Sequence, residues 1–425
     1  MSLEKKPWSN FNKIGLRFSF IYFILYIALN NNGAYPYLTY LTYVLKIQSG
    51  ILYNLIPWFG NDLLGVDYTI TTGPNGSGDT TYHYLLVLFM FIVSVFGTIV
   101  WSLLDRKRKT YSVQYYWLTT AIRYYVGIML YMYGLIKVIK SQFPEPSFYR
   151  LTETYGESSP MGLAWTFLGF SVGYNLFIGL AEMAAILLIF RKTYKFAAVL
   201  TLVTTANVMA VNYFFDIPVK LLSTHLFLMT LFLLLIDAKK LFLLFFKGAS
   251  VQLTKIEPAK FSKKWLRPTL RVTWLILVGY WTIFAFYNVI QRSKTRAKKP
   301  PMYGYYKVQD FTMNKDTLPP LENDTVRWKS IRIERPNSLV IKTMDGKSTR
   351  YNSKTDTIKK SIELVKSKDS TQKFILNYKK LDSLYYMNTV KGGDTINIKF
   401  NRLTKKDFLL MNRGFNWINE RPFNK

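Results

Sequence analysis

Apolar residues in this chain arrive in blocks of about 20, the length needed to cross roughly 30 Å of hydrocarbon. They fall at 14–29, 82–104, 115–139, within 163–190, and at 196–215, 219–236 and 270–290, and beyond Arg292 the text turns polar and alternating. The pattern predicts a helical membrane bundle of about seven transmembrane helices carrying a soluble tail. Lys5, Lys6 and Lys13 precede the first block, and no small-residue cleavage site follows it, so it reads as a retained anchor rather than a signal peptide. The basic loops 106–109, 191–195 and 239–271 all fall on the side of the N-terminus. Short basic loops mark the cytoplasmic face, which places the N-terminus in the cytoplasm and the tail outside. The expected location is a bacterial inner membrane with a periplasmic tail. Four regions follow: 1–114, two spans with an outer segment; 115–240, a four-helix core; 241–291, a cytoplasmic loop and the last span; and 292–425, a β-rich domain.

The formal net charge is +31, but the basic residues cluster at the ends of apolar blocks and in the tail, so membrane topology accounts for them without nucleic acid. The chain has no cysteine, which excludes disulfides, thiolate metal sites and thiol nucleophiles. Between the first two spans, Gly50, Pro57 and Gly60 break a segment rich in Tyr and Trp, predicting one or two helices lying in the outer interface.

The run GPNGSGDTTYHY at 73–84 is glycine-rich, yet no strand precedes it and no Gly-Lys-Ser follows it, so it is not a phosphate loop. Asp79 or Ser77 is expected to cap the second span. Asp79 and His83 lie four apart on one helical face, forming a candidate outer-rim polar cluster with Asn212 and Asp216. Within the spans the candidate polar site is Arg123, Lys137, Asn175, Glu182 and His225, because ionisable groups at membrane depth face a bundle interior. Counting from the inner ends of spans three and four puts Arg123 and Glu182 at one height, predicting an ion pair. The same count leaves Lys137 to the outer-side residues, and Arg17 is expected to snorkel.

On Arg123-x3-Gly127-x6-Gly134-x2-Lys137, then Gly179-x2-Glu182 and the basic turn that follows, residues 115–235 resemble the DoxX family. The larger layout, with GSGDTTYHY and the ending RGFNWINERPFN, is similar to DoxX-like proteins of Bacteroidetes. The resemblance implies a four-helix core, Arg123, Lys137 and Glu182 as its defining polar residues, and membrane redox work linked to a quinone. Residue chemistry alone weighs equally a non-enzymatic envelope scaffold, or a subunit that binds a lipid or another envelope protein.

In the tail, alternating segments at 326–334, 339–343, 373–378, 384–389 and 395–400, with turns at Asp345-Gly346 and Gly392-Gly393-Asp394, predict a small antiparallel barrel or sandwich. A helix is expected near 404–411, and the aromatic run 414–423 reads as a closing strand.

Overall fold

A computed structural model describes residues 7–256, 263, 265–367, 369–382 and 384–424. Its helices are α1 (Asn10–Leu29), α2 (Pro36–Val44), α3 (Tyr53–Trp58), α4 (Thr81–Leu104), α5 (Ser112–Val138), α6 (Phe148–Thr152), α7 (Pro160–Phe170), α8 (Val172–Met183), α9 (Tyr194–Phe214), α10 (Lys220–Leu235), α11 (Ala238–Lys247), α12 (Leu266–Ala297) and α13 (Leu409–Asn412). The strands are β1 (Gly304–Met313), β2 (Asp316–Thr317), β3 (Trp328–Arg335), β4 (Ser338–Thr343), β5 (Ser348–Asp356), β6 (Ser361–Lys366), β7 (Asp369–Leu381), β8 (Leu384–Lys391) and β9 (Asp394–Leu403). Two compact units result: residues 1–142 with 171–288, and residues 143–170 with 289–425.

The first unit is helical. Among the described residues, Asn10–Leu29, Thr81–Leu104, Val172–Ile189 and Tyr194–Phe214 are long and apolar enough to cross a membrane. Helices α10 and α11 pass the same test together, but the chain bends by 82° between them. The outward faces are apolar, with Phe96, Phe177, Phe196 and Phe214 exposed. Helix α5, at 27 residues, is the most enclosed, burying Arg123, Gly127, Gly134 and Lys137 along one side.

Arg17 does not snorkel. It is buried, and donates to Tyr111 Oη (3.0 Å), Ser102 Oγ (2.8 Å) and the Asp105 carbonyl (3.0 Å). That carbonyl belongs to the C-cap of α4, whose free carbonyls attract a cation. The fourth span, expected within 163–190, is Val172–Ile189. Ser171 is extended and caps α8 through Tyr174 N, while α7 falls in the second unit. Between α1 and α4 the chain makes only short helices, as the Gly and Pro breaks predict.

Helix α11 ends at Gly248, whose φ of +59° is the left-handed cap that glycine adopts without strain. Phe242, Phe245 and Phe246 are exposed along it beside Lys239, Lys240 and Lys247.

The second unit is an antiparallel meander, β1-β3-β4-β5-β6-β7-β8-β9, closed by pairing of β9 with β1 into an eight-stranded barrel, with β2 appended to β1. Trp328, Tyr306, Phe311 and Phe400 fill the interior, as expected for a barrel of this size. Gly346, at φ +85°, and Gly392 and Gly393, at +64° and +95°, make the turns expected of them. Closure also overturns one expectation. The run at 414–423 is not a strand, and Trp417 and Phe415 are exposed. With β1 already paired to β9, no edge is left for a closing strand to join. The helix expected at 404–411 is a 3₁₀ turn, Lys405–Asp407, followed by α13; Thr404 and Asp407 cap the turn reciprocally. Helix α6 docks on the barrel: Phe148 is fully buried beside Tyr303, Tyr305 and Phe408, and its N–H donates to Glu334 Oε1 at 3.0 Å.

Candidate functional site

Helices α5 and α8 run antiparallel and touch through glycine. A Cβ on Gly134 would lie 2.4 Å from the Gly179 carbonyl oxygen, and one on Gly179 would lie 2.8 Å from the Gly134 carbonyl. This contact sets which side chains face one another. Cβ atoms tilt towards the start of their own helix, so in an antiparallel pair Lys137 leans towards Glu182 and Glu182 leans towards Lys137. They form a buried ion pair, with Lys137 Nζ donating to Glu182 Oε1 at 2.8 Å and Oε2 at 2.6 Å, beside the Tyr133 ring.

The expected Arg123–Glu182 pair does not form. Arg123 Nε donates to the Leu188 carbonyl and Nη2 to the Ile189 carbonyl, both at 2.7 Å, under the Tyr194 ring. Those carbonyls close the 3₁₀ segment Ala184–Ile189 that continues α8, where acceptors lack helical partners. Counting from helix ends assumes level ends. Here Arg123, inside α5, is level with the terminus of the α8 continuation. Asn175 is fully buried one turn above Gly179, and its Nδ2 donates to the Ser171 carbonyl at 2.9 Å.

His225 ties α10 to α1. Its Nδ1 lies 2.6 Å from the Leu221 carbonyl, which can only accept, so Nδ1 carries a proton. Nε2 sits 2.8 Å from Tyr22 Oη, and the ring stacks on Tyr26 at 3.7 Å. Tyr125 meets Tyr26 edge-on at 6.4 Å and donates to the Asn30 carbonyl.

Of the outer-rim residues, Asp79 and Asp216 converge on one place, the N-terminus of α10. Asp79 does cap a helix, though not the one that follows it. Its carboxylate accepts from Lys220 N (2.6 Å) and Leu221 N (3.0 Å), and Gly78 N donates to the Pro218 carbonyl at 2.8 Å. Asp216 pairs with the Lys220 side chain at 2.7 Å. His83 instead bonds Thr80 Oγ1 at 2.7 Å within its own first turn, and Asn212 is buried in α9. Cap contacts of this type are worth about 0.5–2 kcal/mol. Asp79→Ala is therefore expected to lower stability by about 1 kcal/mol, and Asp79→Asn by less, read as melting shifts of the purified protein; equal melting of all three forms would refute the cap.

Asp237, at the bend between α10 and α11, was not singled out from the sequence. It accepts from Lys195 and from Thr254 N (2.9 Å), with Lys240 Nζ at 3.7 Å. Burial pushes its carboxyl up, but the hydrogen bonds from Lys195 and Thr254 outweigh that and hold it below the usual carboxylate range. The available signal was a lone acid after an apolar block that faces the basic turn of a neighbouring loop. The barrel also carries an open cavity of about 430 Å³ on the outward face of β1, β7, β8 and β9. Sequence reading missed it, because its residues come from four strands whose pairing was unknown.

Among the described residues no group of three or more His, Cys, Asp or Glu is arranged to hold a metal ion. No family model and no solved structure matches the chain. A stretch of 121 residues is 39% identical to the uncharacterized protein YwoB of Bacillus subtilis (strain 168), covering 28% of this chain and 75% of that protein. Through that stretch the chain belongs to the same family as YwoB.

Proposed function

We propose that the protein is an integral membrane protein whose helical unit anchors a binding domain, the β-barrel, on the outer face of a bacterial inner membrane. One observation carries this reading: the charges buried or half-buried in the helical unit end on helix termini or on each other. Arg17 holds the end of α4, Arg123 the end of the α8 continuation, Asp79 the start of α10, and Lys137 holds Glu182. These are the contacts of a scaffold. The barrel offers the open cavity, and its closure protects it from edge-to-edge pairing with other chains. The basic loops supply the orientation.

Because the chain has no cysteine, single introduced thiols report topology without background. Ser348→Cys, on the exposed barrel surface, is expected to react with a membrane-impermeant maleimide in intact spheroplasts; Lys107→Cys is expected to react only after lysis. Reaction of Ser348→Cys only after lysis would overturn the reading.

A second reading, quinone-linked redox work, follows from the DoxX resemblance. It is favoured by the His225–Tyr22 pair, a proton donor–acceptor couple set against the Tyr26 face. Native purification followed by lipid extraction and mass spectrometry separates the two. A stoichiometric quinone supports redox work, and its absence supports the anchored module.

A further inference from the structure

We propose that the outward face of β7, β8, β9 and β1 is an oligosaccharide-binding groove, with Tyr386 and the asparagines beside it as the recognising residues. This rests on the reading of the barrel as a binding domain and names its ligand class. The strand register builds two parallel rows across the face. In the first, Thr312 pairs with Asn397, Asn397 with Asn388, and Asn388 with Asn377. In the second, Asp310 pairs with Lys399, Lys399 with Tyr386, and Tyr386 with Lys379. All eight residues line the cavity of about 430 Å³, a volume within the usual range for small-molecule sites.

The chemistry of the rows selects the ligand. Each asparagine carries a donor and an acceptor on one planar group, so it matches a pair of neighbouring hydroxyls. Neighbouring strands stand about 4.8 Å apart, so the row offers a hydroxyl-matching group at each step over about 14 Å. Such an array suits an extended chain of similar repeating rings. Tyr386, 39% exposed at the middle of the second row, presents an aromatic body with a polar tip, the combination that packs the C–H face of a sugar while bonding its rim. A groove for a polyanion would exclude carboxylates. Here Asp310 stands in the row and sets off Lys399, 3.5 Å away.

The position of Asp310 is itself built. A bulge between Val308 and Asp310 makes Gln309 and Asp310 both point outward, bringing Asp310 into register with Lys399. Bulges re-aim side chains in this way. The buried Arg327 holds the bulge, its Nη2 donating to the Gln309 carbonyl at 3.2 Å and its Nε to the Leu318 carbonyl at 3.0 Å.

The test is calorimetric titration of the full-length protein in lipid nanodiscs with two probes, the tetramer of N-acetylglucosamine and cellotetraose. Saturable binding of at least one is expected, persisting when salt is added. Tyr386→Ala and Asn388→Ala should each weaken it by at least about tenfold, while Lys354→Ala, on the exposed side of β5, should leave it unchanged. The three positions are outward-facing or exposed, and unchanged melting verifies the fold of each variant. The proposal is overturned if neither sugar binds, if both groove variants bind as well as the parent, or if binding collapses with salt. A barrel found on the cytoplasmic side by maleimide labelling would sink the anchored-module reading and leave the titration to stand or fall separately.

Discussion

Lys137→Ala and Glu182→Ala are each expected to destabilise the helical unit by about 3–5 kcal/mol, the cost of leaving one buried charge without its partner. Both side chains are almost wholly enclosed, and the lysine ammonium bridges both carboxylate oxygens, so neither charge has water to fall back on. The double variant Lys137→Met with Glu182→Leu removes both charges and fills similar volume. It is expected to cost less than either single change, because replacing a buried pair with apolar groups is often neutral or stabilising. The measurement is a double-mutant cycle on unfolding of the detergent-solubilised protein, closed by the single variants Lys137→Met and Glu182→Leu. A coupling energy of several kcal/mol between the two positions marks a pair whose members depend on each other. Additive effects, or single variants that unfold like the parent, would show that the pair does not hold α5 to α8. The outcome also bears on function: if the double variant retains stability, the ion pair is dispensable as a pin, and any reason for keeping it lies in chemistry.

What the sequence made legible follows the period and punctuation of its residues. Blocks of apolar residues located α1, α4, α5, α9 and α10, and Asp345-Gly346 and Gly392-Gly393 located two hairpin turns of the barrel. Strands β1, β2, β5 and β6 were missed. Strand β5 buries only Tyr351 and Ser353, and β2 is two residues long, so neither carries an apolar alternation to read, whereas β1 and β6 do alternate in burial and were passed over. Arg123, Lys137, Asn175, Glu182 and His225 were recognised as buried, Arg17 and Asp237 were not, and the partners of Arg123, Lys137 and Glu182 were misassigned. Height within a helix can be counted at about 1.5 Å per residue. The register between two helices is set by where they touch, and that depended on Gly134 meeting Gly179. Asp79 shows the same limit. Its residue type announced a cap, yet the helix it serves begins 141 positions away in sequence. Partners distant in the chain are chosen by packing, which local pattern does not encode.

The close approach of α5 and α8 leads to the second large effect, at Gly134. By helix propensity alone, replacing an interior glycine with alanine gains about 1 kcal/mol. At Gly134 the sign is expected to reverse. The new Cβ would stand 2.4 Å from the Gly179 carbonyl oxygen and 2.8 Å from the Met183 amide nitrogen, and backbone atoms cannot rotate away as a side-chain tip can. Separating the helices would also pull Lys137 from Glu182 and Arg123 from the Leu188 and Ile189 carbonyls, since the same contact sets all three. Gly134→Val is therefore expected to cost at least about 3 kcal/mol, the upper end of ordinary overpacking, and Gly134→Ala somewhat less. Gly97→Ala is the control. There a Cβ is crowded by the terminal Cδ1 of Ile21 at 2.9 Å, an atom that turns aside easily, and meets Ile21 Cγ2 at an ordinary 3.8 Å, so the change should be nearly neutral or stabilising. Melting of the three variants in detergent decides the matter. If Gly134→Ala melts as high as Gly97→Ala, the helices are not in glycine contact, and the geometry that brings Lys137 to Glu182 fails with it.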